Sequence, residues 1–242
     1  MDKNIEIFQS PQALAEKFAE ELIHGINESA EKKKSVSVVL SGGSTPDLLF
    51  SLLGDHYSGS ARWEYVHFFW GDERCVPPDD PESNFGAAYE RFLGKIDIPV
   101  VNIHRIKGEA DPGKEAKRYS EDILSCIRLR DGLPVFDVIM LGIGEDGHTV
   151  SIFPGNIDLL DSRKICEVTY HPITFQKRIT LTFRVINNSE SVVFLVTGKT
   201  KANVAENIIK KRPSSRNFPA SLINPVYGEL RWFVDKDAGS LL

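Results

Sequence analysis

The chain has few cysteines, no large excess of either charge and no long apolar segment. Its three cysteines, Cys75, Cys126 and Cys166, are odd in number and form no CxxC pair, so neither a disulfide framework nor a zinc knuckle is expected. No apolar run approaches the roughly 18 residues needed to span a membrane. The N-terminus also lacks the basic stretch and apolar core of a signal peptide. We therefore expect a cytoplasmic protein with no membrane partner.

The charge balance is mildly acidic. The 242 residues include 29 Lys and Arg against 34 Asp and Glu, which gives a formal net charge of −5. A nucleic-acid-binding protein would show a basic footprint, so we expect no nucleic-acid partner. A small anionic ligand is still compatible with this charge, because it needs only a few local cations. The 41% share of apolar residues is typical of a globular protein with a full core.

Hydrophobic patterning predicts an α/β fold. Ser10 and Pro11 favour a helix start, after which Leu14, Phe18 and Leu22 recur every four residues. Short, continuously apolar runs, which suit strands buried on both faces of a parallel sheet, then alternate with helical patterns. The apolar runs are 36–40, 66–70, 136–141 and 192–197, the helical patterns are 46–53, 84–93, 113–130 and 200–211, and two further strands are predicted at 178–182 and 230–234. We expect a single α/β domain over residues 1–242, with a parallel sheet flanked by helices.

The first candidate site follows the strand predicted at 36–40. Gly42 and Gly43 allow a ligand to approach the backbone closely, and Ser44 and Thr45 add hydroxyl groups before Pro46. We expect Thr45 to cap the next helix and Pro46 to lie in its first turn, so that the free N–H groups there attract an anion. The segment is interpreted either as a phosphate-binding loop or as an ordinary tight turn. Neither the P-loop pattern nor GxGxxG is present at this strand.

Charged residues follow the next apolar strand directly. Asp72, Glu73 and Arg74 come after the run at 66–70, and ligands of parallel sheets bind beyond the carboxyl ends of the strands. Arg74 is suited to bidentate contact with a phosphate. A surface ion-pair cluster is the alternative. Cys75 has no adjacent histidine to activate it, so we expect it to be a passive neighbour.

The most specific segment is GIGEDGHT at 142–149, after the strand predicted at 136–141. It sets Asp146 and His148 two residues apart in a glycine-rich turn. Histidine is largely neutral at pH 7 and can accept a proton as a general base. A structural histidine is the alternative interpretation.

Motifs of other catalytic classes are missing. HExxH and other standard metal spacings are absent, as is the GxSxG element of serine hydrolases. We expect no required metal and no cofactor.

Taken together, these segments resemble the family that unites 6-phosphogluconolactonases with glucosamine-6-phosphate isomerases/deaminases. The matching blocks run in the expected order from about residue 5 to about residue 240: LSGGSTP, FFWGDERCVP, GIGEDGHTVSIFPG, RITLT, VTGKTKA and RWFVDKDA. The resemblance implies a modified Rossmann-like sheet. It also implies hydrolysis of 6-phospho-D-glucono-1,5-lactone to 6-phosphogluconate, the second step of the oxidative pentose phosphate pathway, by an enzyme expected to be a monomer.

The resemblance also assigns roles to individual residues. It implies that His148 is the general base and that Asp146 supports it. It places Gly42, Gly43, Ser44 and Thr45 in the phosphate-binding loop and makes Arg74, Arg178 and Lys199 the substrate-binding cations. Asp72, which follows the strand predicted at 66–70, is a further candidate for substrate binding.

Two alternative functions stay open at this point. The first is the related deaminase/isomerase activity. Relatives with that activity carry a Glu five residues after the histidine, where this chain has Phe153. Asp72, however, matches a carboxylate that those enzymes use. A non-catalytic sugar-phosphate sensor would keep the Gly42–Thr45 loop and Arg74 but would need neither Asp146 nor His148.

Overall fold

The computed structural model describes residues 4–156 and 159–242. The helices are α1 (Pro11–Glu31), α2 (Ser44–His56), α3 (Asn84–Arg91), α4 (Pro112–Cys126), α5 (Phe183–Ile186) and α6 (Ala202–Ile209). The strands are β1 (Ile5–Phe8), β2 (Val36–Leu40), β3 (Val66–Trp70), β4 (Asp72–Arg74), β5 (Leu129–Arg130), β6 (Leu133–Pro134), β7 (Val138–Leu141), β8 (Cys166–Tyr170), β9 (Lys177–Leu181), β10 (Ser191–Val196) and β11 (Glu229–Asp235).

A parallel sheet forms the centre of the molecule. Its six strands lie in the order β1-β11-β10-β7-β2-β3, and every neighbouring pair is parallel. All five residues of β2 are buried, as are the last five of β10, because such a sheet is covered on both faces. The predicted α/β class with a parallel sheet is confirmed.

The first helix has the predicted start and the predicted apolar face. The Ser10 hydroxyl accepts a hydrogen bond from the Ala13 N–H at 3.1 Å, and Pro11 occupies the first helical position. Leu14, Phe18 and Leu22 are all buried. The periodicity of the sequence therefore places this helix correctly against the core.

The predicted helix at 113–130 extends too far. The helix ends at Cys126, and residues 129–130 instead form β5, which pairs with β6. Asp131 and Gly132 connect the two strands with φ values of 52° and 75°. An Asp-Gly pair favours this type of hairpin turn, so this local signal outweighs the helical pattern.

The strand predicted at 178–182 does not join the main sheet. It forms β9, which lies between β4 and β8 in a separate antiparallel sheet. The Leu181 N–H donates to the carbonyl of Gly71 at 2.8 Å. The small sheet is thereby joined to the main sheet at the end of β3.

The connections change direction beside β2. The chain passes from β2 to β3 on one side, and the later strands β7, β10 and β11 lie on the other. Ligands of open parallel sheets bind at such a switch point, beyond the carboxyl ends of the strands. The loops that follow β2 and β7 therefore flank the expected binding crevice.

Within the described ranges, no helix combines the length and the hydropathy that a membrane crossing requires.

A buried tyrosine holds the end of β3. The Tyr119 hydroxyl accepts a bond from the Trp70 N–H at 2.8 Å and donates to the Trp70 carbonyl at 2.9 Å. We expect Tyr119→Phe to lower the free energy of unfolding by about 1–3 kcal/mol, because both backbone groups lose their partner. Urea denaturation measures this value. Tyr89→Phe is the control, since Tyr89 is half exposed, and an equal effect of both variants would contradict the assignment.

Candidate active site

A cleft opens at the switch point of the sheet. It is bounded by the loop after β2, the start of β4, the loop after β7, one strand of the small sheet and the segment after β10. Its lining includes most of the residues singled out from the sequence: Gly42, Gly43, Ser44, Thr45, Asp72, Arg74, His148 and Arg178. The parallel sheet thus gathers side chains that are far apart in the chain.

The loop after β2 has the predicted glycines but a different helix start. Gly43 is the N-cap residue of α2, with φ at 115°, and no side chain caps the helix there. The prediction that Thr45 caps the helix is wrong, because Gly43 turns the chain earlier and α2 begins at Ser44. The Thr45 hydroxyl instead lies 2.7 Å from that of Thr197, the residue that follows β10. The first helical turn consequently presents N–H groups without a side-chain cap to the cleft.

A close contact explains why residue 42 is glycine. A Cβ atom at Gly42 would lie 1.8 Å from the Asn84 Oδ1 atom. Asn84 is buried, and its amide donates to the Asp72 carbonyl at 2.9 Å. The absence of a side chain at 42 therefore lets the loop pack onto the polar group that holds the start of β4.

Two carboxylates support this side of the cleft. Asp72 is buried, and its carboxylate accepts a hydrogen bond from the Ser151 hydroxyl. Glu73 is also buried; it accepts bonds from the N–H groups of Asn84 and Phe85, both at 2.8 Å. Burial raises the pKa of Glu73 even though backbone N–H groups oppose the shift. Glu73 thus fixes the start of α3 against β4 and does not line the cleft.

Two arginines lie side by side in the lining of the cleft. Arg74 and Arg178 are directly paired across β4 and β9. The Nε atoms of both are buried and have no hydrogen-bond partner among the described residues. Burial and the positive charge of Arg74 lower the pKa of Arg178. Since like charges repel, this pair is suited to an anion that accepts bonds from both guanidinium groups.

The histidine predicted as a base is accessible and oriented. The His148 Nδ1 atom lies 2.6 Å from the Asp146 Oδ1 atom, and the His148 side chain is 31% exposed. Burial alone would raise the pKa of Asp146, but the hydrogen bonds from His148 outweigh this effect and lower it. The carboxylate therefore stays ionised and holds the Nδ1 proton. The Nε2 atom is left to accept a proton.

Steric constraints explain why two positions of this loop are glycine. A Cβ atom at Gly144 would lie 2.1 Å from the His148 Nδ1 atom. Gly147 has a φ of 84°, and a Cβ there would lie 2.4 Å from the Phe218 ring. The Gly144 N–H also donates to the His148 carbonyl at 2.8 Å. The glycine-rich sequence thus allows a tight loop that brings Asp146 and His148 together.

Lys199 is the one predicted cation that the structure does not bring to the cleft. Its side chain is exposed, and it is missing from the lining, whereas Lys201 lines the cleft. The segment Lys199–Lys201 forms a single 3-10 turn after Gly198. Residues two apart on such a turn project in different directions, which the sequence pattern did not resolve.

Two residues near the cleft take no part in its lining. Asp47, in the first turn of α2, lines a different surface pocket beside Pro78. Burial, together with the charge of Glu73, raises the pKa of Cys75 to about 11. A thiol with this pKa is a poor nucleophile at neutral pH, in agreement with a passive role.

Three functional neighbours were not assigned from the sequence. Asn84 and Ser151 hold Asp72, and Phe153 packs on His148 with 4.7 Å between the ring centroids. Phe153 also lies under the Arg178 guanidinium, at 5.7 Å. Asn84 follows the helix-capping Ser83, but its contacts with residues 42 and 72 are long-range and leave no signal in local spacing.

The sequence is similar to those of known proteins. The family model described as glucosamine-6-phosphate isomerases/6-phosphogluconolactonase matches residues 9–232. A 6-phosphogluconolactonase of Haemophilus influenzae is 38% identical over 97% of this chain and 98% of its own length.

Solved structures agree with this match. A 6-phosphogluconolactonase from Thermotoga maritima aligns with a TM-score of 0.82 and 30% identity, covering 96% of this chain and 99% of the other. One from Trypanosoma brucei aligns with a TM-score of 0.88 and 28% identity over 99% and 98% of the two chains. This chain belongs to the glucosamine-6-phosphate isomerase/6-phosphogluconolactonase family.

Proposed function

We propose that the protein hydrolyses 6-phospho-D-glucono-1,5-lactone to 6-phosphogluconate. The observation that carries this proposal is the presence, in one cleft, of a histidine oriented by a carboxylate and of two adjacent arginines whose Nε atoms have no hydrogen-bond partner among the described residues. A phosphorylated lactone needs both, since its phosphate needs cations and its carbonyl carbon needs an activated water. The names of the relatives support the same substrate.

In this mechanism, the arginines and the open end of α2 bind the phosphate. Arg74 and Arg178 supply charged donors, and the Ser44 and Thr45 N–H groups lie at the positive end of the helix. Each hydrogen bond to a charged group contributes about 1.5–3 kcal/mol. Binding at this end orients the lactone ring toward His148.

His148 then acts as the general base. Its Nε2 atom takes a proton from water while the water oxygen bonds to C1 of the lactone. The bond between C1 and the ring oxygen breaks next, and the ring oxygen takes the proton back from the imidazolium. Asp146 stabilises the imidazolium through the 2.6 Å hydrogen bond to Nδ1. No covalent intermediate with the protein is needed.

The residue at position 153 disfavours the isomerase alternative. Phe153 is buried, and its ring packs against His148. A phenyl ring cannot transfer a proton, although proton transfer between carbons is central to the isomerisation of an amino sugar phosphate. A coupled assay with freshly prepared lactone, run beside glucosamine 6-phosphate and a protein-free blank, tests the choice. Acceleration with glucosamine 6-phosphate alone would contradict the proposed function.

Removal of the base tests the mechanism. We expect His148→Ala to lower kcat by roughly 10²–10⁴-fold, since a positioned general base contributes that much, while KM changes little. The rate above the spontaneous hydrolysis of the lactone is the measurement. His24→Ala is the matched control, because His24 is exposed on α1. Near-normal turnover of His148→Ala would show that another group activates the water.

Loss of one arginine tests the phosphate end. We expect Arg178→Gln to raise KM by roughly 10–100-fold, which corresponds to one charge-assisted interaction, with a smaller change in kcat. Arg184→Gln serves as the control, because Arg184 is exposed outside the cleft. An unchanged KM for Arg178→Gln would place the phosphate elsewhere.

The two lysines after β10 give an internal comparison. Lys201 lines the cleft and Lys199 does not, so we expect Lys201→Ala to raise KM by roughly 3–10-fold, as for a partly solvated charge–phosphate contact. Lys199→Ala is expected to leave KM within experimental error. Steady-state kinetics of both variants decide this, and the reverse order would contradict the placement of the two side chains.

A further inference from the structure

Metal-ligating side chains cluster away from the cleft. His104, Asp122 and Cys126 each offer a ligand atom, and these atoms all lie within 4.8 Å of one another. None of the three lines the active-site cleft. They lie near His67, which is at the start of β3, whereas the catalytic loops follow the carboxyl ends of the strands. The cluster is thus at the opposite edge of the parallel sheet.

The distances within the cluster match the edges of a small coordination polyhedron. The His104 Nδ1 atom lies 3.1 Å from Asp122 Oδ1 and 4.0 Å from Cys126 Sγ, and the latter two atoms are 3.8 Å apart. A tetrahedral zinc ion with ordinary bond lengths needs about 3.3, 3.6 and 3.5 Å for these three edges. Shifts of a few tenths of an ångström would therefore bring all three atoms to bonding distance.

Separate elements supply the three ligands in a fixed arrangement. Asp122 and Cys126 are four residues apart in α4, so they project from the same face of the helix. The His104 N–H donates to the Phe68 carbonyl of β3 at 2.8 Å. Its ring stacks on Phe69 with a centroid distance of 4.3 Å and an interplanar angle of 3°. The imidazole is therefore held in place before any ion binds.

Neighbouring groups orient the ligands as outer-shell partners do in metal sites. The second nitrogen of His104, Nε2, lies 3.0 Å from His67 Nδ1. The second oxygen of Asp122 accepts a bond from the Arg118 guanidinium at 3.1 Å. A metal-bound histidine typically places its remaining N–H on such a partner, and a ligating carboxylate is itself hydrogen-bonded.

The three ligands differ in their exposure to solvent. The His104 side chain is only 7% exposed, whereas Cys126 is exposed. The cluster has a protected base and an open side through which an ion can enter. Three protein ligands also leave a fourth position for water.

We propose that His104 Nδ1, Asp122 Oδ1 and Cys126 Sγ bind one divalent transition-metal ion of the zinc type. Thiolate and imidazole ligands favour such an ion over Mg²⁺ or Ca²⁺, which prefer oxygen. On binding, the Cys126 thiol releases its proton to solvent. The neutral His104 ring keeps its proton on Nε2, and this N–H donates a hydrogen bond to His67 Nδ1. The ion joins the C-terminal end of α4 to the segment beside β3 and takes no part in the hydrolysis.

The sequence did not indicate this site because the ligands lack a standard motif. His104 is 18 residues before Asp122, and helix α4 brings the two together only in the folded chain. That the protein requires no metal for activity stays a prediction, and the ion proposed here lies outside the cleft.

Cobalt is a suitable probe, because Co²⁺ replaces Zn²⁺ and is coloured. We expect the chelator-treated full-length protein to bind one Co²⁺ and to show a thiolate-to-cobalt charge-transfer band with strong four-coordinate visible bands. Cys126→Ser removes the charge-transfer band, and Asp122→Asn weakens cobalt binding by at least tenfold. Cys75→Ser is the matched control and retains the band. A cobalt ion at His148 and Asp146 would lack sulfur and would give no such band.

Stability gives a second readout. Zn²⁺ at one hundred times its Kd is expected to raise the Tm of the wild-type protein by about 5–10 °C and that of Cys126→Ser by much less. The proposal is overturned if wild type shows no thiolate band, or if the band persists in Cys126→Ser. An equal rise in Tm for both proteins also overturns it.

Discussion

The pairing of Arg74 with Arg178 constrains the whole site. Neighbouring positions of β4 and β9 hold two guanidinium groups together, and their buried Nε atoms find no partner within the described part of the chain. The carboxylates of Asp72, Glu73 and Glu82 offset part of this repulsion, and hydrogen bonds hold both strands in place. Glu73 anchors β4 to α3, while Leu181 joins β9 to the end of β3. In the proposed mechanism, the substrate phosphate bound at the arginines relieves this repulsion.

The parallel sheet places the loop that carries His148 in the same cleft as the two arginines. The loops after β2 and β7 meet at the switch point, because the strands that precede them are neighbours. One loop presents an uncapped helix end, and the other presents His148 on Asp146. The rest of the sheet keeps these loops apart from the opposite edge, where His104 and Cys126 form a different chemical environment.

Much of the fold and of the site could be predicted from the sequence, because the signals were local. Runs such as 36–40 are apolar throughout, as buried parallel strands must be, and Gly-rich or charged segments follow them directly. The failures have two physical causes, local backbone conformations that the apolar pattern does not reveal and contacts between residues far apart in the chain. The start of α2 depends on the conformation of Gly43, and the separate sheet of β9 depends on pairing with a distant β4. Asn84 likewise acquires its place through long-range contacts that residue spacing does not encode, whereas the 3-10 turn at Lys199–Lys201 sets the direction of Lys201.

The proposed mechanism requires a phosphate end of the cleft at the arginines and a reacting end at His148. A crystal structure of the protein with 6-phosphogluconate bound would distinguish the two ends. We expect phosphate oxygens within hydrogen-bond distance of both Arg74 and Arg178, and the C1 carboxylate within hydrogen-bond distance of the His148 Nε2 atom. A product bound with its two ends exchanged, or bound outside this cleft, would contradict it.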